Sequence, residues 1–121
     1  MNIFIICSVR GVSDEYRKKL ERYVENLEKD GNKVHLPHRD TNQEQNGQAI
    51  CQQNKDAIIW SDEIHIFYDG KSQGAHFDLG MAFALDKKIK IVENYWTDEI
   101  KQLKKSFPKF LDEWERMGNI I

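Results

Sequence analysis

At 121 residues the chain suits one domain with one modest core. Its 40% hydrophobic and 31% charged residues are an ordinary soluble balance, and a formal net charge of −2 gives no basic surplus to suggest a nucleic acid polymer as partner. The longest apolar opening, Ile3 to Cys7, is too short to cross a bilayer and has no signal-peptide cleavage pattern, so no membrane partner is expected. Two cysteines, Cys7 and Cys51, make neither a disulfide framework nor a CxxC metal knuckle. They read as buried thiols in a reducing compartment, with the cytoplasm as default and no metal site.

Asn2 to Cys7 is an Ile-rich run suited to a strand buried on both faces. Ser13 can cap a helix in which Tyr16, Leu20, Tyr23, Val24 and Leu27 recur at helical spacing, with Gly31 as its stop. Lys33 to Leu36 reads as a second strand ended by Pro37, and His38 to about Gln43 as a polar loop. Ile50, Ala57, Ile58 and Trp60 give the next helix a weaker apolar face. Asp62 to Tyr68 alternates as a strand through Ile64, Ile66 and Tyr68. A loop Asp69–Gly74, a helix from about Ala75 to Leu85 and a strand Lys88 to Val92 follow. The tail reads as helical, with one stripe of Ile100, Leu103 and Phe107 and, after an interruption at Pro108, a second of Phe110, Leu111, Trp114 and Met117. The lysines Lys101, Lys104 and Lys105 read as a solvated face.

No repeat, low-complexity tract or linker divides the chain, so residues 1–121 are expected to form one domain. Alternating strands and helices predict an α/β, three-layer Rossmann-like or flavodoxin-like fold: a parallel sheet of four or five strands with helices on both faces. Right-handed crossovers push the order towards 2-1-3-4. In such sheets the ligand crevice lies beyond the strand carboxyl ends where the winding reverses, which is between strands 1 and 3.

Two loops fall there, Cys7-Ser8-Val9-Arg10-Gly11 and Asp69-Gly70-Lys71-Ser72-Gln73-Gly74. Their glycines, hydroxyls, the Arg10 guanidinium and a helix amino end would suit an anion such as phosphate. Taken alone, either loop is more readily a tight turn with a capping serine. Gly80, Ala82 and Ala84 need no chemistry and suit close packing of their helix on the sheet or on another subunit. Trp96, Phe107, Phe110 and Trp114 read as core or subunit interface. Trp60 and Tyr68 are ambiguous, and Tyr68 is placed to orient a nucleophile.

The stretch Ser72-Gln73-Gly74-Ala75-His76-Phe77-Asp78-Leu79-Gly80-Met81-Ala82-Phe83-Ala84-Leu85, followed by Lys87-Lys88-Ile89, resembles the hallmark of the nucleoside 2-deoxyribosyltransferase family. Cys7 to Gly11 resembles the phosphate-binding loop of its 2′-deoxynucleoside 5′-phosphate N-hydrolase branch. The resemblance runs from about Ile3 to Val92 and leaves the helical tail, residues 93–121, outside it.

The resemblance implies cleavage or transfer at the N-glycosidic bond of a (deoxy)nucleoside or its 5′-monophosphate. Asp78 stands where the family has its carboxylate nucleophile. Ser8, Arg10, Gly11, Ser72 and Gly74, with Cys7 and Asp69 from the same loops, form the substrate-binding set. It also implies a homo-oligomer whose neighbouring subunit completes the pocket, and no metal or organic cofactor.

Three positions depart from the pattern. The family usually has glutamate at Asp78; it has an aspartate, handling the proton on the base, at Asn54; and its phosphohydrolase branch often has glycine at Val12. Asparagine is no general acid or base. Asp56 lies half a helical turn away, which leaves His76, Asp69, His38 or Asp40 as substitutes. Two alternatives stay open: a nucleotide-binding or signalling module that has lost the chemistry, and an NAD-cleaving domain of the Toll/interleukin-receptor type.

Overall fold

The computed structural model describes residues 1–94 and 106–121, with side chains from residue 109 onward in the second stretch. The elements run β1 (Asn2–Ile6), α1 (Asp14–Lys29), β2 (Lys33–His35), α2 (Pro37–Asp40), α3 (Gly47–Trp60), β3 (Glu63–Tyr68), α4 (Gln73–Ala84), β4 (Lys88–Asn94) and α5 (Ser106–Arg116). Ile100, Leu103, Trp96 and the tail lysines lie outside the described residues. Among those described, no helix is long and apolar enough to cross a membrane.

The four strands pair in parallel in the order β2-β1-β3-β4. Beyond them, Ile120 makes a single parallel bridge to Ile91 on the outer edge of β4. On one face of the sheet Ile3, Ile5, Cys7, Val34 and Phe67 meet Leu20 and Val24 of α1. On the other, Phe4, Ile6, Ile64, Ile66, Ile89 and Ile91 meet Ile58 of α3, Leu79 and Ala82 of α4 and Leu111 of α5. The α/β layering and strand order expected from the sequence are those observed. Both follow from β1 and β3 being buried on two sides at the centre of the sheet.

Local chemistry sets the helix ends. The Ser13 hydroxyl accepts from the Tyr16 amide and opens α1, while Gly31, at φ +91°, ends it. Asn46 caps α3 by accepting from Ala49 N, so this helix starts before its first apolar residue. Lys87 closes the far end of α3, its Nζ donating to the carbonyls of Ile59 at 2.9 Å and Ser61 at 2.7 Å.

Five expectations are corrected. The stretch read as a loop from His38 begins inside a helical turn, α2, with Pro37 at its start and Leu36 N donating to the Asp40 carboxylate at 2.8 Å. Trp60 is 42% exposed and so is not part of the buried face of α3, and Met117, at 72%, does not join the stripe of α5. Cys51 is exposed on α3; only Cys7 is buried. Position 108 lies in the first turn of α5, where an imino residue costs no helical hydrogen bond, and does not interrupt it.

The polar edge of β3 is buried as fully as its apolar one. Glu63 and His65 face α1, where His65 Nε2 meets Glu63 Oε1 at 2.7 Å and Nδ1 meets the Tyr23 hydroxyl at 2.6 Å. The carboxylate only accepts, so Nε2 carries the ring proton and Nδ1 accepts from Tyr23. Burial pushes the Glu63 carboxyl up, and hydrogen bonds from His65 and Lys90 more than offset it, leaving it below the ordinary range. Burial also lowers the His65 pKa. Tyr23→Phe would leave Nδ1 buried without its donor. It is expected to reduce unfolding free energy by about 1–2 kcal/mol, read as a lower urea midpoint at unchanged slope.

Candidate active site

The sheet reverses its winding between β1 and β3, and the loops leaving these two strands meet above their carboxyl ends. A single carboxylate joins them. Asp69 Oδ1 accepts from the amides of Lys71 at 2.9 Å and Ser72 at 3.2 Å, while Oδ2 accepts from the Ser8 hydroxyl. Burial pushes the Asp69 carboxyl up, but the Ser8 hydroxyl and these amides outweigh it and hold it ionised below the ordinary range. The Ser72 hydroxyl, in turn, accepts from Ala75 N at 3.1 Å and starts α4.

A cavity of about 500 Å³ opens over this junction. Its wall includes Cys7 to Val12 from the first loop, Lys71 to Ala75 and Asp78 from the second loop and α4, Ile50 and Asn54 from α3, and Pro37 and Gln43. Helical geometry selects the wall residues. Ala75 and Asp78 are three apart on α4, and Ile50 and Asn54 four apart on α3, so each pair shares a face. Gly11 turns the first loop at φ +70°, a conformation other residues adopt only with strain. Arg10 extends across the mouth, its Nη2 donating to the Gln43 carbonyl at 3.2 Å.

Asp78 is 6% exposed, and burial raises its pKa to about 7 against the smaller opposing effect of a hydrogen bond from the Asn54 side chain. The Cys7 thiol is pushed up to about 12 by burial first, then by Asp78 and Asp69, so it forms wall and offers no thiolate near neutral pH. The cavity therefore holds one carboxyl that titrates near neutrality, one fixed carboxylate, and two cations, Arg10 and Lys71.

Of the residues singled out from sequence, Cys7, Ser8, Arg10, Gly11, Asn54, Asp69, Ser72, Gly74 and Asp78 all line this cavity. Tyr68 and His76 do not. The Tyr68 hydroxyl meets His76 Nε2 at 2.9 Å, and His76 Nδ1 donates to the Ser72 carbonyl at 2.7 Å, so the two are paired with each other outside the lining. His38 sits beside Glu21 at 3.3 Å, Asp40 is tied to Arg39 and Leu36, and Asp56 accepts from Gln52; none lines the cavity. Sequence reasoning misses Lys71 of the wall, although the Asp-Gly-Lys-Ser turn that carries it is legible. Gln43, Pro37 and Ile50 carry no local sequence signal, because only tertiary packing brings them to the wall.

These features define a parallel α/β domain with a polar cavity at its switch point. A family model for nucleoside 2-deoxyribosyltransferases matches residues 5–109, past Val92, and the chain belongs to that family. Solved structures agree on the fold. A CMP N-glycosidase from Clostridium botulinum superposes with a TM-score of 0.62 at 23% identity, covering 77% of this chain and 69% of that one. A 2-deoxyribosyltransferase from the psychrotolerant bacterium Bacillus psychrosaccharolyticus gives 0.65 at 14% identity, covering 83% and 80%. A conserved protein from Enterococcus faecalis V583 gives 0.61 at 17%, covering 75% and 62%. A search of curated proteins by sequence gives no match.

The raised pKa of Asp78 has a stability consequence of definite sign. Between about 4 and about 7 the folded chain keeps this proton while the unfolded chain has lost it, so stability falls as pH rises across that window. Asp78→Asn removes the penalty. It is expected to stabilise the protein by roughly 2–4 kcal/mol at pH 8 and by little at pH 4, measured by denaturant unfolding at both.

Proposed function

We propose that the cavity holds a nucleoside or nucleoside 5′-monophosphate and that Asp78 attacks C1′, breaking the N-glycosidic bond. The observation that carries this is the burial of the Asp78 carboxyl in a polar cavity of nucleotide-compatible size, within a family of deoxyribosyl-transferring enzymes. A carboxylate suits an oxocarbenium-like carbon, and its partial desolvation makes it a better nucleophile than one in water.

The step runs as follows. An Asp78 oxygen bonds to C1′ as the C1′–N bond breaks, and its electron pair leaves with the base. Water attacks the glycosyl ester, returns the carboxylate and releases a proton that neutralises the base; attack by a second base gives transfer instead. Arg10, Lys71 and the first-turn amides of α4 hold the 5′-phosphate, at the mouth and away from Asp78. Asp69 keeps the two loops together and stays ionised, so it donates no proton.

One observation favours a second reading, a module that binds nucleotide without cleaving it. Asn54 stands where the resemblance implies an acid for the departing base, and the acids among the described lining residues are Asp78, taken here as nucleophile, and Asp69, held ionised. Ligand recovered intact, with a raised melting temperature, marks that outcome.

The proposal extends to a second copy of the chain. On α4, Ala82 is buried against the sheet, whereas Phe77, 54% exposed, shares the outer face with Gly80 and Ala84. Sedimentation should show a homodimer that Phe77→Glu dissociates, with the far-ultraviolet spectrum unchanged; a monomeric wild type rejects it.

A panel of nucleosides and 5′-monophosphates, followed by chromatography of free base, tests the chemistry. Asp78→Ala should lower base release by about 10³-fold or more, and kcat/KM should rise with pH through about 7 as Asp78 ionises. Wild type and Asp78→Ala equally inert on every substrate would refute the catalytic reading.

A further inference from the structure

Asn54 is not a free amide. It is 8% exposed on α3, and its Oδ1 accepts from the hydroxyl of Thr41 at 2.7 Å. Thr41 lies at the carboxyl end of α2, 4% exposed, and its Oγ1 is 2.8 Å from His35 Nε2 at the end of β2. The His35 ring is held by stacking on Phe4, with centroids 5.2 Å apart and planes at 12°. Four residues from three strands and helices and one helix terminus thus make a continuous line from the sheet to the cavity wall.

The donor direction of this line is fixed from its inner end. The Thr41 hydroxyl occupies Asn54 Oδ1, which leaves the NH2 edge for Asp78 on the same cavity wall; an ionised Asp78 only accepts hydrogen bonds, so only that edge can serve it. That turns Oδ1 towards Thr41, whose one hydroxyl hydrogen goes to it, and Thr41 must then accept from His35 Nε2–H. A protonated Asp78 gains an O–H donor that only the Oδ1 edge of Asn54 could accept, and turning Asn54 over to offer it would break the bond from Thr41.

We propose that Thr41 and His35 are positioning residues of the site: they lock the Asn54 amide with its NH2 edge towards Asp78 and so favour the ionised carboxylate. Neither is in the cavity lining, and both act through Asn54. Other charged or titratable groups also face the two ends of the line. Cys7 just beyond β1, Asp69 beyond β3, and Arg10 and Lys71 share the cavity with Asp78, while Asp40 and Arg39 of α2 lie by His35. All of these remain in place in the variants below and drop out of the comparison.

The direct test is the titration of Asp78 in carboxyl-13C-aspartate protein, its resonance assigned with Asp78→Asn. Thr41→Val keeps the shape of the side chain and removes the donor. It should raise the midpoint by about half a unit to one unit, while Thr41→Ser, which restores the hydroxyl, should titrate like wild type. In an Asn54→Ala background Thr41→Val should add no further shift. An unmoved midpoint in Thr41→Val, or an equal shift without Asn54, overturns the proposal. Should Thr41→Val fail to fold, His35→Phe keeps the stacking on Phe4 and drops the outer donor; a smaller rise supports the lock and no rise overturns it.

The kinetic arm rests on the reading of Asp78 as nucleophile. There Thr41→Val should move the acid limb of kcat up by the same amount, cutting kcat about three- to tenfold at pH 6, with KM and the rate at pH 9 unchanged. If no substrate is cleaved, the proposed chemistry fails, but the titration still decides whether the lock exists.

Discussion

The site depends on one carboxylate that ties two loops together. Asp69 takes the Ser8 hydroxyl on one side and the Lys71 and Ser72 amides on the other, so the loops after β1 and β3 are bound across the switch point of the sheet. Burial alone would neutralise it, yet the donors it gathers keep it charged, which makes each bond stronger than a neutral one. This junction ties the loop carrying Arg10 to the loop that opens α4, and the bonds from Ser8 N to Tyr16 and from Arg10 to Gln43 fix the same loop from its other sides. The arrangement also has a cost for anion binding, because donors that a phosphate would use are already engaged. The positive field left in the cavity comes from Arg10, Lys71 and the helix end rather than from the serine hydroxyls.

The second constraint is the buried carboxyl of Asp78, placed by the helix that Ser72 caps. Three residues separate Ala75 from Asp78, and one more reaches Leu79, so a single helix turns its carboxyl to the cavity and its leucine to the core. Packing of Leu79 and Ala82 on the sheet therefore fixes the depth of the carboxyl. A core contact sets its ionisation by setting how much water it loses.

Much of the fold was legible because its centre is simple. The β1 run is apolar enough to be read as a strand buried on both faces, β3 shows itself by its alternation, Ser13 and Gly31 mark the ends of α1, and alternation with helices points to the strand order. What escaped was polar and tertiary. Period-two patterning assigns Glu63 and His65 to an exposed face, but α1 covers them and Tyr23 completes their hydrogen bonds. Asn46 and the Pro37 turn precede the apolar residues by which a helix is noticed, so the sequence pattern marks neither the start of α3 nor α2. In the site, loop residues beyond β1 and β3 were found because topology alone puts them there. Tyr68 and His76 are close to Asp78 in sequence, but helix rotation turns His76 away from the cavity and towards Tyr68. The wall from Pro37, Gln43 and Ile50 exists only after the elements pack.

The residues at positions 78 and 54, where the resemblance implies acids in the family, share one cavity wall. Burial makes the Asp78 carboxyl harder to ionise and raises its pKa to about 7. A carboxylate at position 54 would add a like charge beside it and push that pKa higher still. The amide at 54 does the opposite, donating to Asp78 and opposing the effect of burial. Asparagine, however, is symmetric in shape and opposite in polarity at its two ends, so it helps only in one orientation. Supplying that orientation requires a donor behind it, and the Thr41 hydroxyl, backed by His35, is that donor. With an amide in this wall, part of the control of the buried carboxyl passes to residues on β2 and at the end of α2, outside the cavity altogether.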